Sequence, residues 1–471
     1  MELSRRNFTK LSAALMAGVP LAKSQQVSHK VVRAAKKNVI FVVVEDLRPI
    51  LGCYGDPIAK TPNVDRFAEK SVVFKNAFCQ GPICNPSRTA LITGLRPDTT
   101  GISDNSVAWH QVMPDVVTMP YYFKQNGYYT GRGGKLFHGQ MKNDDVKAWD
   151  ESFMPYDVSE SDDVEMVNVT GGLVKWADYG IVDADDSVEP DSKNLSFGID
   201  FLKNRPKDKP FFLTVGFFRP HGPLRAPKKY FDLYDVDQFV PAFVPENSSF
   251  ENELTYINEY SQDWKSGLDK GLTEKSKREF MRAYYACTSF TDSMFGKLLD
   301  EIDAQQLWKD TVVVFTSDHG FHLGEHDWWN KNTLFDIDAR VPLIVYDPDI
   351  TKTAFETEGF VELVDLYPTL ADLCGLEVSD DLEGISFKSL LEQPRRKWKK
   401  CAYSQIKHKY IGRSVRTQRW RYTKWDNGIE ELYDHLSDPG EYRNLIDVEY
   451  LQEVVAEMRE LLNNGHNIME K

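Results

Sequence analysis

The chain has 471 residues, of which 41% are hydrophobic and 12% aromatic, so it can bury a large core and is neither disordered nor fibrous. Its formal net charge of -14 argues against general nucleic-acid binding. Its 6 cysteines form no Cys-x-x-Cys pairs and therefore indicate neither a zinc site nor a disulfide framework.

The N-terminal segment predicts an export signal. Residues 4–10 carry the adjacent pair Arg5 and Arg6, and a short apolar run follows over residues 11–22. Paired arginines before such a run are typical of twin-arginine signals, and the run is too short and too interrupted to span a membrane as a stable helix. We therefore predict a signal peptide at residues 1–26, export to the periplasm by the twin-arginine pathway, and no stable membrane insertion.

The first strand of the globular part is predicted at residues 38–44, where the chain is continuously apolar and rich in β-branched side chains. This pattern favours a central strand of a parallel sheet that is covered on both faces. Glu45 and Asp46 follow at once. Because ligands in open α/β sheets collect beyond the carboxyl ends of strands, these carboxylates are candidate metal ligands, although acidic residues also simply terminate strands.

Residues 84–94 predict a loop that leads directly into a helix. Cys84 stands two residues before Pro86, and the apolar segment that follows ends at Gly94. Unpaired amides and the positive end of a helix dipole favour an anion at Cys84, and Arg88, one turn on, adds a guanidinium suited to tetrahedral oxyanions. The site therefore suits sulfate or phosphate, and the alternative is a buried structural cysteine beside an ordinary capped helix.

Further polar side chains stand at strand ends or in loops rich in glycine and proline. They are Lys135 and His138 after Gly134, His221 after the apolar run 211–218, Asp318 and His319 after the run 311–316, and Lys331 in the next loop. An α/β fold gathers its active site from such positions. For His221, the roles of general acid and metal ligand remain open, as does that of a turn histidine packed locally.

The middle of the chain predicts an insertion and a long helix. The acidic segment 144–191 shows little periodicity and is predicted as a surface insertion. From Phe280 onward, apolar positions recur every three or four residues, which indicates an amphipathic helix. Cys287 belongs to its apolar stripe and is expected to be inert.

The C-terminal part predicts a second, smaller unit. A helical segment at residues 361–374 precedes a boundary, and the alternating segment 402–433 favours a small antiparallel sheet. We therefore predict a catalytic domain at residues 37–375 and a C-terminal subdomain at residues 376–471. The basic run 395–400 is interpreted as a solvated surface loop, with contact to an anionic polymer as the alternative.

The segment 84–94 meets every fixed position of the signature Cys-x-Pro-Ser-Arg-x-x-Leu-x-Thr-Gly, and the chain therefore resembles the type I, formylglycine-dependent sulfatases. The resemblance runs from residue 38 to the end and is closest to the iduronate-2-sulfatase-like enzymes. The residues that carry it are 45–49, 52–55, 84–94, 96–100, 134–138, 219–221, 318–320 and 331.

This resemblance implies an α/β fold of the alkaline-phosphatase type, in which helices sandwich a mixed sheet and a smaller C-terminal subdomain holds an antiparallel sheet. It implies that a formylglycine-generating maturation enzyme oxidises Cys84 to formylglycine, whose hydrated form is the nucleophile. It also implies one calcium ion, with Glu45, Asp46, Cys84, Asp318 and His319 as ligands. Glu45 departs from the family, which usually has aspartate at that position.

The resemblance also assigns the remaining polar side chains. Arg88, Lys135 and Lys331 are expected to hold sulfate oxygens, and His221 or His138 to protonate the leaving alcohol. The implied reaction removes sulfate from a sulfated carbohydrate, with a uronate 2-sulfate or a galactose sulfate as candidates.

Two alternatives to that reaction stay open. A phosphodiester or phosphonate monoester hydrolase of the same superfamily can share the signature around Cys84. A non-catalytic binder of sulfated glycans would instead keep Cys84 as a thiol.

Two arrangements are open for Trp328 and Trp329. They either stack on a sugar ring or pack beneath a neighbouring loop.

Overall fold

The computed structural model describes residues 36–139, 144–155, 164–172, 177–250, 272–351, 353–464, 466 and 469. Lys36–Lys471 form one compact unit. The predicted signal peptide at residues 1–26 lies outside the described residues, and the domain boundary at residue 375 stays a prediction.

The secondary structure of the described residues alternates strands and helices along the chain. The strands are β1 (Asn38–Val44), β2 (Val72–Phe78), β3 (Tyr129–Gly134), β4 (Glu151–Phe153), β5 (Met166–Asn168), β6 (Asp178–Val182), β7 (Phe211–Phe217), β8 (Leu224–Pro227), β9 (Thr311–Ser317), β10 (Arg340–Tyr346), β11 (Phe355–Thr357), β12 (Val361–Glu362), β13 (Ala402–Lys407), β14 (Ile411–Arg416), β15 (Trp420–Trp425) and β16 (Glu430–Asp434). The α-helices are α1 (Pro62–Ala68), α2 (Cys84–Thr93), α3 (Pro97–Thr100), α4 (Trp109–Val112), α5 (Met119–Gln125), α6 (Pro190–Asn204), α7 (Lys228–Phe231), α8 (Glu274–Ala304), α9 (Asp336–Ala339), α10 (Leu366–Leu373), α11 (Lys388–Glu392) and α12 (Gln452–Asn463).

A nine-stranded mixed sheet forms the centre of the part of the chain that the structure describes. Its strand order is β11-β2-β10-β9-β1-β7-β3-β4, with β12 paired to β2. β1 lies parallel between β7 and β9, whereas β10 runs antiparallel to both of its neighbours. Every residue of β1, β7 and β9 is buried, as continuous apolar strands in a doubly covered sheet must be.

The two faces of the sheet pack against different helices. Ile40, Val42 and Val44 of β1 enter one core cluster with apolar side chains of α1, α6 and α8. The alternate side chains of β1 enter a second cluster with residues of α2, α5 and α10. This division follows from the two-residue period of a strand. The prediction of a mixed sheet sandwiched by helices is confirmed.

The register of the central strands places several predicted site residues at one edge of the sheet. Val44, at the end of β1, lies opposite Phe217 of β7 and Ser317 of β9. The residues that follow these three strands therefore leave the sheet side by side. Helix α2 begins at Cys84, shortly after β2 ends, and finishes at Gly94 in the left-handed conformation, as predicted.

Two smaller sheets complete the described structure. β13, β14, β15 and β16 form an antiparallel sheet, and α12 packs against it through Val455, Met458 and Leu461. This confirms the predicted C-terminal antiparallel sheet. β5, β6 and β8 form a three-stranded sheet.

Three predictions about local structure were wrong in part, namely those for the segments 144–191, 361–374 and 395–400. The segment 144–191 is not only a surface insertion, since β4 joins the central sheet and Asp191 is buried, where it accepts the backbone N–H groups of Phe218 and Arg219. The segment 361–374 begins as the strand β12, which pairs with the edge of β2, and becomes α-helical only at Leu366.

The basic run 395–400 is only partly solvated. Trp398 and Lys399 are buried, and the ammonium group of Lys399 donates to both Glu362 and Asp365 at 2.8 Å.

Trp328 and Trp329 are also buried. Of the two arrangements predicted for them, they therefore adopt packing beneath neighbouring residues. Among the helices that the structure describes, none is long and apolar enough to cross a lipid bilayer.

Candidate active site

The acidic residues after β1 and β9 lie together at the edge of the sheet. The backbone N–H of Asp46 donates to Asp318 Oδ1 at 3.0 Å, which joins the two strand ends directly. Asp46 has a φ of 60°, in the left-handed region that non-glycine residues seldom adopt. The hydroxyl of Tyr284 on α8 donates to the carbonyl of Asp46 and accepts the N–H of Arg48 at 3.2 Å. These contacts hold the strained turn in place.

Cys84 is buried in the centre of this group, at the first residue of α2. Its Sγ lies 3.3 Å from Glu45 Oε1, 3.3 Å from Lys331 Nζ and 3.4 Å from His319 Nε2. Burial raises the pKa of the thiol, but the ammonium groups of Lys331 and Lys135 lower it more, so the net direction is below the ordinary value. The position suits an anionic or strongly polar group.

Two lysines neutralise the carboxylates around Cys84. Lys331 Nζ donates to Asp46 Oδ1 at 2.5 Å, and Lys135 Nζ donates to Glu45 Oε1. Burial lowers the pKa of Lys331, but Asp46, Cys84 and the other nearby carboxylates together raise it well above its usual value. Burial raises the pKa of Glu45, but His221 and Lys135 hold it well below its usual range. The site is therefore a cluster of ionised groups in a water-poor environment.

The guanidinium of Arg88 links three parts of the site. Its Nε donates to Asp318 Oδ2 at 2.8 Å, and its Nη1 donates to the carbonyl oxygens of Lys135 and Leu136, both at 3.0 Å. Its Nη2 is buried and has no hydrogen-bond partner among the described residues. Burial raises the pKa of Asp318, but Arg88 and His319 lower it more, to about 2.

His319 faces the same carboxylates from the end of β9. Its Nε2 lies 3.4 Å from Asp46 Oδ1 and 3.6 Å from Asp318 Oδ2, and its Nδ1 contacts the carbonyl of Gly320 at 2.9 Å. A carbonyl only accepts, so Nδ1 carries a hydrogen. Burial lowers the pKa of His319, but the carboxylate of Asp318 and the sulfur of Cys84 together raise it to about 9.

The other two predicted site histidines, His221 and His138, differ in exposure and in their contacts. The His221 side chain is 40% exposed, its Nε2 lies 3.8 Å from Glu45 Oε1, and its Nδ1 contacts the carbonyl of Gly222 at 2.7 Å. His138 Nδ1 is buried without a hydrogen-bond partner in the described structure. Burial and the nearby Lys135 lower the pKa of His138 to about 3. His138 is therefore neutral near pH 7, beside the cluster rather than bonded into it.

The carboxylates form overlapping groups that could hold a metal ion. Ligand atoms lie within 4.8 Å of one another in the set Glu45, Asp46, Cys84 and His221, and in the set Asp46, Cys84, Asp318 and His319. The five predicted metal ligands are thus divided between two sets that share Asp46 and Cys84. Three carboxylates supply the hard oxygen ligands that Ca²⁺ and Mg²⁺ prefer. The donor set therefore fits a divalent cation of this kind.

Three supporting residues were missed by the reasoning from sequence. The hydroxyl of Ser87 donates to the carbonyl of Asp318, and the hydroxyl of Ser317 accepts the N–H of Leu47 at 2.9 Å. Tyr284 supports Asp46 as described above. Ser87 could have been found, since it belongs to the signature around Cys84. Tyr284 carries no such signal, because it stands in the middle of a long amphipathic helix far along the chain.

The comparison with known families decides the identity. The Sulfatase family model matches residues 37–376, and a model described as N-sulphoglucosamine sulphohydrolase, C-terminal, matches residues 324–467. The chain belongs to the sulfatase family. This sulfatase is 32% identical over 499 residues to iduronate 2-sulfatase from Homo sapiens, a match that covers 87% of the chain and 90% of that relative. The predicted family and its likeness to iduronate 2-sulfatases are confirmed, and the protein is a sulfuric ester hydrolase.

Solved structures share the fold of this sulfatase. The phosphonate monoester hydrolase of Agrobacterium radiobacter has a TM-score of 0.76 at 20% identity, covering 91% of this chain and 95% of that one. A protein solved with its substrate D-glucosamine-2-N,6-O-disulfate has a TM-score of 0.74 at 23% identity, covering 91% and 97%. At these identities the likeness shows the fold alone, and it confirms the predicted fold class.

Proposed function

We propose that this sulfatase removes sulfate from a sulfated carbohydrate, with Cys84, oxidised to formylglycine, as the nucleophile. The observation that carries the proposal is the position of Cys84 Sγ, within 3.4 Å of a carboxylate, an ammonium and an imidazole at the start of a buried helix. An oxygen in that position is surrounded by groups that can orient it and stabilise its negative charge.

Calcium is the metal we propose for this site. Glu45, Asp46, Asp318 and His319, with an oxygen of the modified Cys84, would hold it. When bound, the ion supplies a fixed positive charge that polarises the sulfate group. Glu45 carries one more methylene group than the aspartate that the family usually has at that position, so its carboxylate reaches further from the backbone.

The lysines and Arg88 have separate tasks in this proposal. Lys135 and Lys331 are flexible ammonium groups next to the nucleophile, so they are suited to hold sulfate oxygens as negative charge builds up on them. Arg88 is already bonded to Asp318 and to two carbonyl oxygens, so its main task is to orient Asp318. Its Nη2 alone remains to contact an oxygen in the site.

His221 is the better candidate for the acid that protonates the leaving alcohol. It is part-exposed at the mouth of the site, and the Gly222 carbonyl holds the hydrogen of Nδ1, which leaves Nε2 to carry the transferable proton. As the bond between sulfur and the leaving oxygen breaks, that oxygen takes this proton. The low pKa of His138 keeps it neutral, so it fits the role of a hydrogen-bonding group better than that of an acid.

The substrate and the location rest on the relatives and on the N-terminus. A relative at 32% identity is named iduronate 2-sulfatase, which supports a uronate 2-sulfate, with a galactose sulfate as the second candidate. The paired arginines of the N-terminal segment support export to the periplasm. A formylglycine-generating maturation enzyme would act on the chain before that export.

A substrate panel tests the proposed reaction. The panel contains defined oligosaccharides with a uronate 2-sulfate or a galactose sulfate, an aryl sulfate, an aryl phosphodiester and an aryl phosphonate monoester. We expect release of sulfate from at least one oligosaccharide and faster turnover of the aryl sulfate than of either phosphorus ester. Faster turnover of a phosphorus ester would make the protein a phosphodiester or phosphonate hydrolase. Binding of the oligosaccharides without release of sulfate would make it a glycan binder.

A further inference from the structure

Two neighbouring cavities flank the basic run 395–400, away from the active site. The first has a volume of about 530 Å³, and its lining includes Lys397, Lys400 and Trp420. The second has a volume of about 390 Å³, and its lining includes Arg395, Arg396 and Trp398. Gln418 lines both. We call this pair of cavities the basic groove; none of its lining residues belongs to the candidate active site.

The basic groove carries positive charge that the described protein does not neutralise. Arg395 and Arg396 are exposed and Lys400 is half-buried, and none of the three forms an ion pair with a carboxylate of the described residues. The net charge of the whole chain is -14, so this concentration of cations is a local exception. Cations that lack a partner within the protein are open to an external anion.

The lining of the groove contains fewer carboxylates than cations. In the second cavity, Glu356 pairs with Lys75 at 3.0 Å, and Glu358 accepts a hydrogen bond from the side chain of Asn76 at 3.1 Å. Glu457 remains as an exposed acidic residue in the lining of the first cavity. The balance of charge in the groove therefore stays positive.

Aromatic and hydrogen-bonding groups accompany this charge. Trp420 is half-buried, with the guanidinium of Arg419 at 4.5 Å from its ring centroid, and Arg419 is fixed by two hydrogen bonds of 2.8 Å to Asp434. The indole Nε1 of Trp398, in the second cavity, is buried and has no hydrogen-bond partner in the described part of the chain. A buried donor of this kind is satisfied by an acceptor on a ligand.

We propose that the basic groove is a second carbohydrate site, which binds a stretch of a sulfated polysaccharide while another part of the same polymer is desulfated. Sulfate groups suit the cations, the apolar face of a pyranose ring suits the part of Trp420 that Arg419 and the C-terminal core leave exposed, and a ring or hydroxyl oxygen suits Trp398 Nε1. The identity of this polymer rests on the proposed function. The groove would raise the local concentration of substrate at the active site.

Charge reversal in a protein that cannot turn over substrate tests the binding. In Cys84→Ala, binding of a heparin hexasaccharide is measured by isothermal titration calorimetry, with heparin as the probe for sulfated glycans. We expect Lys397→Glu/Lys400→Glu and Arg395→Glu/Arg396→Glu each to weaken binding roughly tenfold and to flatten its salt dependence. The matched control Lys193→Glu/Lys209→Glu changes the net charge equally at exposed positions outside the groove and is expected to leave binding unchanged.

Turnover separates this proposal from the proposed function. In the catalytically competent protein, the groove variants are expected to keep kcat/KM on an aryl sulfate and to lose roughly tenfold in kcat/KM on a sulfated polymer. If no sulfate ester is hydrolysed, the proposed function fails, while the heparin titration still reports on the groove. Equal heparin affinity in groove variants and parent, or an equal loss in the control, would overturn the proposal. The proposal would also be overturned if the protein bound single-stranded DNA or phosphatidylglycerol vesicles more tightly than heparin and the same variants abolished that binding.

Discussion

Two buried clusters in this sulfatase combine carboxylates, cations and imidazole, yet they differ in how the charges are paired. One is the candidate active site. The other, which we call the arginine clasp, joins the start of α9 to the C-terminal sheet and contains Asp336, Arg416, Arg421, His435 and Glu441. Each cluster contains at least three potential metal-ligand atoms that lie within 4.8 Å of one another. Proximity of such ligands therefore does not distinguish a metal site from a structural network.

The cations make the distinction. In the arginine clasp, Arg421 donates to both Glu441 and Asp336, and Arg416 donates to Asp336 at 3.0 Å, so rigid guanidinium forks satisfy the carboxylates. In the active site, flexible ammonium groups of Lys135 and Lys331 face the carboxylates around a thiol. If a cation were held by these carboxylates, the ammonium groups would be available to bind a sulfate group. The arginine clasp therefore pairs its charges within the fold, whereas the lysines of the candidate active site are suited to the chemistry proposed above.

The largest effect is expected at Cys84. Cys84→Ala removes the nucleophile, so sulfatase turnover should fall on the order of 10⁴-fold or more, while the protein stays folded. The matched control is Cys287→Ala, since Cys287 lies in the apolar core, where burial raises its pKa to about 12. This control should keep its turnover and lose about 1–2 kcal/mol of unfolding free energy. If Cys84→Ala hydrolysed sulfate esters at the parent rate, Cys84 would not be the nucleophile.

Breaking the arginine clasp should cost stability rather than chemistry. Arg421→Ala leaves Glu441 and Asp336 partly uncompensated in a buried position, so the free energy of unfolding should fall by about 3–5 kcal/mol. Denaturant titration measures the loss. Arg459→Ala breaks an ion pair with Glu430 that is partly exposed to solvent, and it should cost less than about 1 kcal/mol. Equal costs for the two variants would contradict the distinction between the clusters.

Glu45 tests the metal site without removing the nucleophile. Glu45→Gln keeps the size of the side chain but removes its charge, so calcium affinity should fall roughly 100-fold. Glu45→Asp keeps the charge but shortens the reach, and a loss of roughly tenfold is expected. Calorimetric titration with calcium gives both values. If Glu45→Gln bound calcium as the parent does, Glu45 would not be a ligand.

The smallest effect is expected at Tyr284, which touches the backbone of Asp46 and not the metal site itself. Tyr284→Phe removes the hydrogen bond to the Asp46 carbonyl, worth about 1 kcal/mol, so calcium affinity should fall roughly fivefold. The control is Tyr285→Phe, because the hydroxyl of Tyr285 bonds to Asp56 at 2.9 Å. An equal loss of calcium affinity in the two variants would show a general loss of stability and no specific support of Asp46.

The strand ends and the active-site cluster could be predicted from the sequence. Continuous apolar runs mark β1, β7 and β9, and parallel strands in one register deliver their following residues to one edge. The helix at Cys84 could be predicted because Pro86 and Gly94 mark its first turn and its end. These features depend on contacts close in sequence or on a general rule of sheet topology.

The pairing of charges could not be predicted. Arg88 was expected to hold sulfate, yet its Nε and Nη1 bond to Asp318 and to backbone carbonyls far away in the chain. Lys399 was placed on a solvated loop, but it is buried against Glu362 and Asp365. Such contacts depend on the tertiary arrangement of long side chains, which has no local pattern in the sequence.

The most direct test of the central claim is the chemical state of Cys84. The protein is purified from a host that contains a formylglycine-generating enzyme, and the peptide containing Cys84 is analysed by tandem mass spectrometry alongside turnover of an aryl sulfate. We predict an aldehyde at Cys84, in a fraction that rises in proportion to the rate of sulfate release across preparations. An unmodified thiol at Cys84 in a preparation with full sulfatase activity would contradict the account.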